Sequence, residues 1–338
     1  MDFVMNAGIH LSVPETGQHI ISSKWRKLIM KHPNDRINKG ESENHKEKPR
    51  IIVTWLLACV FALLLLHTAQ TNAAILTVNC ATGPFVTING AIAAAANGDT
   101  IMVEACAVPY IENVTIAGFT SLHVVGVTPP DATGAGGDYG AKAAGVGAAV
   151  NSLTIVNGAG LGGACFDIQN STDVKIQNFS LVNCALGGVR IRTASRVLVL
   201  ANRIISHPGA NGILAINTDD LVVSSNLIAV TGKEGILLDD TRISTVADNF
   251  VIRAAGAGIR LNDGANNRVD NNDVRSSGLQ GLVVSGIEAR IERNSFSQNG
   301  AGADILVDLA SINADIVGNS APAGINDSGA GTEMANNF

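Results

Sequence analysis

Four residues carry the densest chemistry in this chain of 338 residues: Asp239 and Asp240, then Asn262 and Asp263 in the same two places 23 residues on. If a step of 23 is one rung of a stack, Asp240 and Asp263 lie about 5 Å apart. Carboxylates that close raise one pKa of the pair or share a cation such as Ca²⁺. Asp239, Asp240 and Asp263 are thus the candidate acid/base residues, and Asp240 and Asp263 the candidate Ca²⁺ ligands. Arg253 and Arg260 are candidate cations for the same site, with Arg242 nearby and Asp219-Asp220 one step earlier. His207 is the only His in this part of the chain. The plainer reading is that Asp after a strand closes an Asx turn and builds a corner.

These residues sit inside a repeat. Gly188, Gly212, Gly235, Gly258 and Gly281, with Cys165 before them and Asp304 after, are spaced by 23, 24, 23, 23, 23 and 23 residues. A fixed period of that size is the signature of a solenoid. Three apolar stretches recur per step, with the side-chain alternation of strands. The first runs from Phe166/Ile168 through Ile236/Leu238 to Ile305/Val307, the second from Val174/Ile176 to Ala314/Ile316, and the third from Leu181 to Ala321. Three strands per turn predict a three-sided parallel coil. Between the second and third stands a polar column, Asn202, Asn226, Asn249, Asn272, Asn294 and Asn319. Rungs about 4.8 Å apart let such amides bond along the stack, and Asn tolerates left-handed backbone. Gly before the first strand is expected to supply a tight corner.

The entry to the stack has its own pattern. Ile75–Val78 reads as a strand, and Phe85 to Ala96 as a short strand end running into an Ala-rich helix, stopped by Asn97-Gly98-Asp99. Thr100-Ile101-Met102-Val103-Glu104 is again a strand. Ala91-Ile92, Gly98-Asp99-Thr100-Ile101 and Tyr110-Ile111-Glu112-Asn113-Val114 resemble the start of a right-handed parallel β-helix of the pectin-lyase-like superfamily. Asn89-Gly90 depart from that pattern by weakening the first helical turn. The resemblance implies an all-β fold over residues 75–338, regular over 165–319, with a short N-terminal helix capping the open end. It also implies that paired acids on a coil face can serve as glycosidase carboxylates or as lyase Ca²⁺ ligands. Residues 128–150 are Gly/Ala-rich and break the period, which predicts a long loop.

Charge divides along the chain. Residues 1–74 hold nine Lys/Arg against six Asp/Glu, and residues 75–338 hold 14 against 23. An acidic folded part argues against a nucleic-acid partner. Residues 1–50 read as a polar, basic, disordered segment. Residues 51–74 read as a signal peptide, cleaved after Ala73 or Ala74, which leaves no stable membrane contact. The alternative is a membrane anchor formed by residues 51–66, and Met30 is an alternative start. Cys80, Cys106, Cys165 and Cys184 then remain, an even number that fits two disulfides in an exported protein with three connectivities open. Cys80–Cys106 would clip the start of the domain. Cys165 and Cys184 could meet on neighbouring coils or stay as small buried apolar residues. No C-x-x-C pair points to zinc, and no His-Met-Cys cluster to copper. The latter weighs against a second resemblance, to periplasmic β-helix proteins that help mature copper enzymes.

Two functions follow. An exported β-helix could bind a glycan or a cell-surface protein partner on a coil face. Alternatively, a polysaccharide lyase or glycoside hydrolase could act on an acidic polysaccharide through the acids above. Against a long glycan groove, no Trp or Tyr follows Tyr139, and sugar sites usually present aromatic faces.

Overall fold

The structure is a computed structural model, described over residues 73–127, 154–300 and 302–338, together with the backbone of two short strands near the start. The chain divides into two compact units, Met1–Ala69 and Gln70–Phe338. In the first, Phe3–Met5 pairs antiparallel with Ile9–Leu11. The rest of the polar N-terminal segment, the signal or anchor up to residue 72, and the loop at 128–150 lie outside the described residues.

The second unit is a parallel β-solenoid of about ten turns with one short helix near its start. From Val114 to Ser297 each turn visits three sheets in a fixed order. Among the described residues the first sheet has nine strands, from Val114–Ala117 through Phe166–Gln169 to Ile325–Asp327. Among the same residues the second has eleven, from Ile75–Val78 to Glu333–Ala335, and the third seven, from Thr154–Asn157 to Ser295–Ser297. The register repeats the sequence period: Ile213 pairs with Ile236, and Ile236 with Ile259. The inward columns named above form one buried core, including Phe166 and Phe179, whose rings meet at 5.0 Å.

Sharp corners carry the chain between sheets. Each regular turn has four left-handed residues; in one they are Asp240, Ile243, Asp248 and Arg253, with φ from 48° to 56°. Asn, Asp and Gly enter this region with little cost, whereas a β-branched side chain is strained there. Ile243 is also exposed, and its neighbour in the same column one turn on is Asn266. Ile243→Asn should therefore stabilise the protein by about 1 kcal/mol, read as a higher urea midpoint.

The asparagine column is buried and continuous. Asn226 donates from its backbone nitrogen and its Nδ2 to Asn249 Oδ1, each at 3.0 Å, and Asn249 repeats this onto Asn272. Each Nδ2 also reaches a carbonyl of the second sheet, as Asn249 does to Val223 O at 2.9 Å. These asparagines are not the left-handed residues. Left-handed backbone falls one place earlier, at Ala201, Ser225, Asp248, Asn271 and Arg293. The glycine column also differs from expectation. None of Gly188, Gly212, Gly235, Gly258 or Gly281 has positive φ; a Cβ at Gly235 would lie 2.4 Å from Val251 Cγ1 and 2.6 Å from Gly258 O. Close approach of neighbouring turns selects glycine there, and turn geometry does not.

The helix, α1, spans Ile88–Ala94 and buries Ile88, Ala91 and Ile92. Thr87 caps it by accepting from Gly90 N at 3.1 Å. Glu112 accepts from the Ile88 and Asn89 backbone nitrogens at 2.8 and 3.1 Å. A carboxylate there meets both the orphan N–H groups and the positive end of the helix dipole. Asn89, a weak helix former, earns its place by donating to Glu112 and Asn113 O and accepting from Thr115 N. Glu112→Ala should cost about 1–2 kcal/mol in a chemical melt.

Both cysteine pairs are bridged. Cys80–Cys106, with Cα atoms 6.2 Å apart, joins the first two turns. Cys165–Cys184, at 5.4 Å, closes a single turn on itself and does not join neighbours.

Candidate functional site

Outward residues of the first sheet form two columns. One runs Asp167, Arg190, Leu214, Leu237 and Arg260; the other runs Gln169, Arg192, Ile216, Asp239 and Asn262. Together they span five rungs, and four spacings between them make about 19 Å at the usual strand spacing. At one end Asp167 is nearly buried beneath two guanidiniums. Arg190 Nη2 lies 2.5 Å and Arg192 Nη2 3.1 Å from its Oδ2, and Gln169 Nε2 donates to the same oxygen at 2.8 Å. Burial pushes the Asp167 carboxyl up, but the hydrogen bonds and charges of Arg190 and Arg192 outweigh it and hold it below its ordinary value. Leu214, Ile216 and Leu237 follow as a half-buried aliphatic floor. At the other end Asn262 Nδ2 donates to Asp239 Oδ1 at 2.6 Å and to Asp263 Oδ2 at 3.3 Å.

The expected acidic site is only partly assembled. Asp239 points outward on the sheet, while Asp240 and Asp263 occupy the left-handed corner with φ of 48° and 50°. Their column also holds Asn170, Thr193 and Asn217, at 47°, 51° and 49°, so the corner role explains the two acids without catalysis. Arg260 lies on the same strand as Asn262 and Asp263. Arg253 does not join them: it is exposed on the third sheet, in Phe250–Ala254. Neither arginine has an ion-pair partner among the described residues. For Ca²⁺, the corner offers the two carboxylates of Asp240 and Asp263. The remainder of a six- to eight-oxygen shell would fall to backbone and water.

The second sheet carries features that the sequence reading did not join. A depression of about 210 Å³ is lined by His123, Asp173, Lys175, Arg196, Leu198 and Asp220, among others. Arg196 grips Asp173 through Nε and Nη2 at 2.6 and 2.8 Å. The 24-residue step points to an ion pair of Arg196 with Asp220, but Asp173, one turn earlier, holds Arg196 instead. Burial and Lys175 push His123 below its ordinary pKa, opposed by Asp173. Further along, Arg268 and Arg290 both reach Glu292, and Arg268 and Arg293 both reach Asp270. His207 lies on no face: it is buried in the core beside Cys184.

The fold is that of a right-handed parallel β-helix. Residues 139–296 match the family model described as a right handed beta helix region. No curated protein sequence matches the chain. Among solved structures it is similar to ORF18 of Geobacillus virus E2, with 11% identity and a TM-score of 0.53 over 88% of this chain and 64% of that one. It is similar to an alginate lyase from Paenibacillus sp. str. FPU-7, with 16% identity and a TM-score of 0.51 over 78% and 94%. It also resembles the catalytic domain of a GH87 alpha-1,3-glucanase in complex with tetrasaccharides, with 12% identity and a TM-score of 0.53 over 80% and 59%. The chain thus spans less than two thirds of the first and third of these. Identities this low speak for the fold alone.

Proposed function

We propose that this protein binds a glycan along the outer face of the first sheet, between Asp167 and Asn262. The carrying observation is the order of side chains there: planar polar forks at both ends and an aliphatic floor of Leu214, Ile216 and Leu237 between them. Sugar rings offer apolar C–H faces and hydroxyl edges, and this strip offers a partner for each without an aromatic platform. Fold relatives that include an alginate lyase and a glucanase domain in complex with tetrasaccharides support the substrate class. The reading includes export through residues 51–74, which N-terminal sequencing of protein recovered outside the cell would test.

Affinity electrophoresis against neutral glucans and uronate polymers tests the binding reading. Asn262→Ala should weaken binding about tenfold, the loss of one or two hydrogen bonds to a polar ligand. Retention of no polymer by the unmodified protein, or equal retention by Asn262→Ala, overturns it.

Catalysis is the second reading, and Arg260 favours it. This cation lies on the strand of Asp263 without an ion-pair partner among the described residues, as a uronate carboxylate would need. Asp240→Asn and Asp263→Asn, assayed on uronate polymers with and without Ca²⁺, decide it. Unchanged turnover in both variants removes the acids from the mechanism.

A further inference from the structure

His207 is fully buried, and its Nε2 has no hydrogen-bond partner. Its Nδ1 lies 3.2 Å from both the backbone nitrogen and the carbonyl oxygen of Cys184. Two neutral tautomers fit. In one, Nδ1 accepts from Cys184 N–H, and the proton on Nε2 has nothing to meet. In the other, Nδ1–H donates to the Cys184 carbonyl, and the bare lone pair of Nε2 is left inside the core. The second is how metal-binding histidines are held. Burial keeps the ring below its ordinary pKa, opposed by the nearby backbone of Cys184 and Leu181.

A ring nitrogen of His207 and the sulfurs of Cys165 and Cys184 all lie within 4.8 Å of one another, all buried. Gly188 keeps the ring's side open: a Cβ there would stand 3.4 Å from Nε2 and 2.4 Å from Ile204 Cγ2. Two sulfurs and one imidazole, with no fourth His, Cys, Asp or Glu in the group among the described residues, make a soft trigonal set. Zinc would require a fourth ligand, and hard cations would require oxygen.

We propose that Cys165, Cys184 and His207 form a redox-gated site for Cu(I). While the bridge stands, both sulfurs are bonded to each other and the site is closed. A dithiol reductant opens it: the reductant is oxidised to its own disulfide, and two electrons and two protons pass to the bridge as two thiols. Cu(I) then displaces both thiol protons and binds two thiolates and the His207 nitrogen. Ala185 and Leu186, next to Cys184, are exposed, so opening that corner admits a small dithiol.

The test uses the full chain carrying Cys59→Ser, Cys80→Ser and Cys106→Ser, which keeps only the buried pair. If those changes impair folding, the unmodified chain compared with Cys165→Ser/Cys184→Ser gives the same difference. Under anaerobic conditions, reduced protein should withdraw one equivalent of Cu(I) from bicinchoninate, and oxidised protein none. Cys165→Ser/Cys184→Ser should withdraw none, and His207→Gln should bind at least about tenfold more weakly. No withdrawal after reduction overturns the site, as does loss of the β-sheet circular dichroism signal on reduction alone. Equal binding by His207→Gln removes the histidine, and retention of Zn(II) in place of Cu(I) refutes the choice of ion.

Discussion

Asn249→Ala is expected to destabilise the protein by roughly 3–5 kcal/mol, since it orphans several buried groups at about 1–3 kcal/mol each. The side chain gives one bond to Val223 O and one to Asn272 Oδ1, and its Oδ1 accepts two from Asn226. None of these groups can turn to water, because both neighbouring asparagines are buried as well. Loss of one rung should therefore expose a break in the column, with turns on either side separating at lower urea. Circular dichroism melts of Asn249→Ala against exposed Lys233→Ala, expected within about 0.5 kcal/mol of the parent, check it. Similar midpoints for the two variants would show that the column is not a source of stability.

Gly235→Ala is the second large effect, at about 3 kcal/mol, the upper end of the range for overpacking. Its Cβ would meet a core methyl of Val251 and the backbone oxygen of Gly258, at 2.4 and 2.6 Å. A side chain can turn away, but a backbone oxygen one turn on can move only with its whole strand. Gly162→Ala is the informative contrast, because nothing lies within 4 Å of that position and its φ is not positive. It should melt with the parent. Equal effects at the two sites would mean that conformational freedom, and not contact, selects glycine in the column.

The spacing of the chain made the architecture legible. A step of 23 residues with three alternating apolar stretches leaves few arrangements, and inward pairs such as Ile236/Leu238 lie in the register that the period predicts. Corner chemistry was harder to read. Left-handed residues include Arg196, Val230, Ile243 and Arg253, and local propensity would place none of these there. Stacking by neighbouring turns overrides propensity at those points. Around the candidate site, linear distance misled. Arg253 follows Asp240 by thirteen residues, which is over half a turn and so a different sheet. The buried Cys165, Cys184 and His207 group had one sequence signal: Cys184 and His207 are 23 residues apart. Cys165 substitutes for glycine in its column, and that placement alone did not reveal a sulfur facing inward.

The two outward columns of the first sheet repeat once per turn, while the column of asparagines and the apolar interior repeat independently of them. Length and recognition are thereby separable in this protein. Removing one 23-residue turn would shorten the face by one strand spacing, about 4.8 Å, and return every later side chain to its own column. Changing a single outward residue would instead rewrite one rung and leave the span intact. A ligand made of repeating units would thus meet a surface whose reach is set by the number of turns and whose chemistry is set rung by rung.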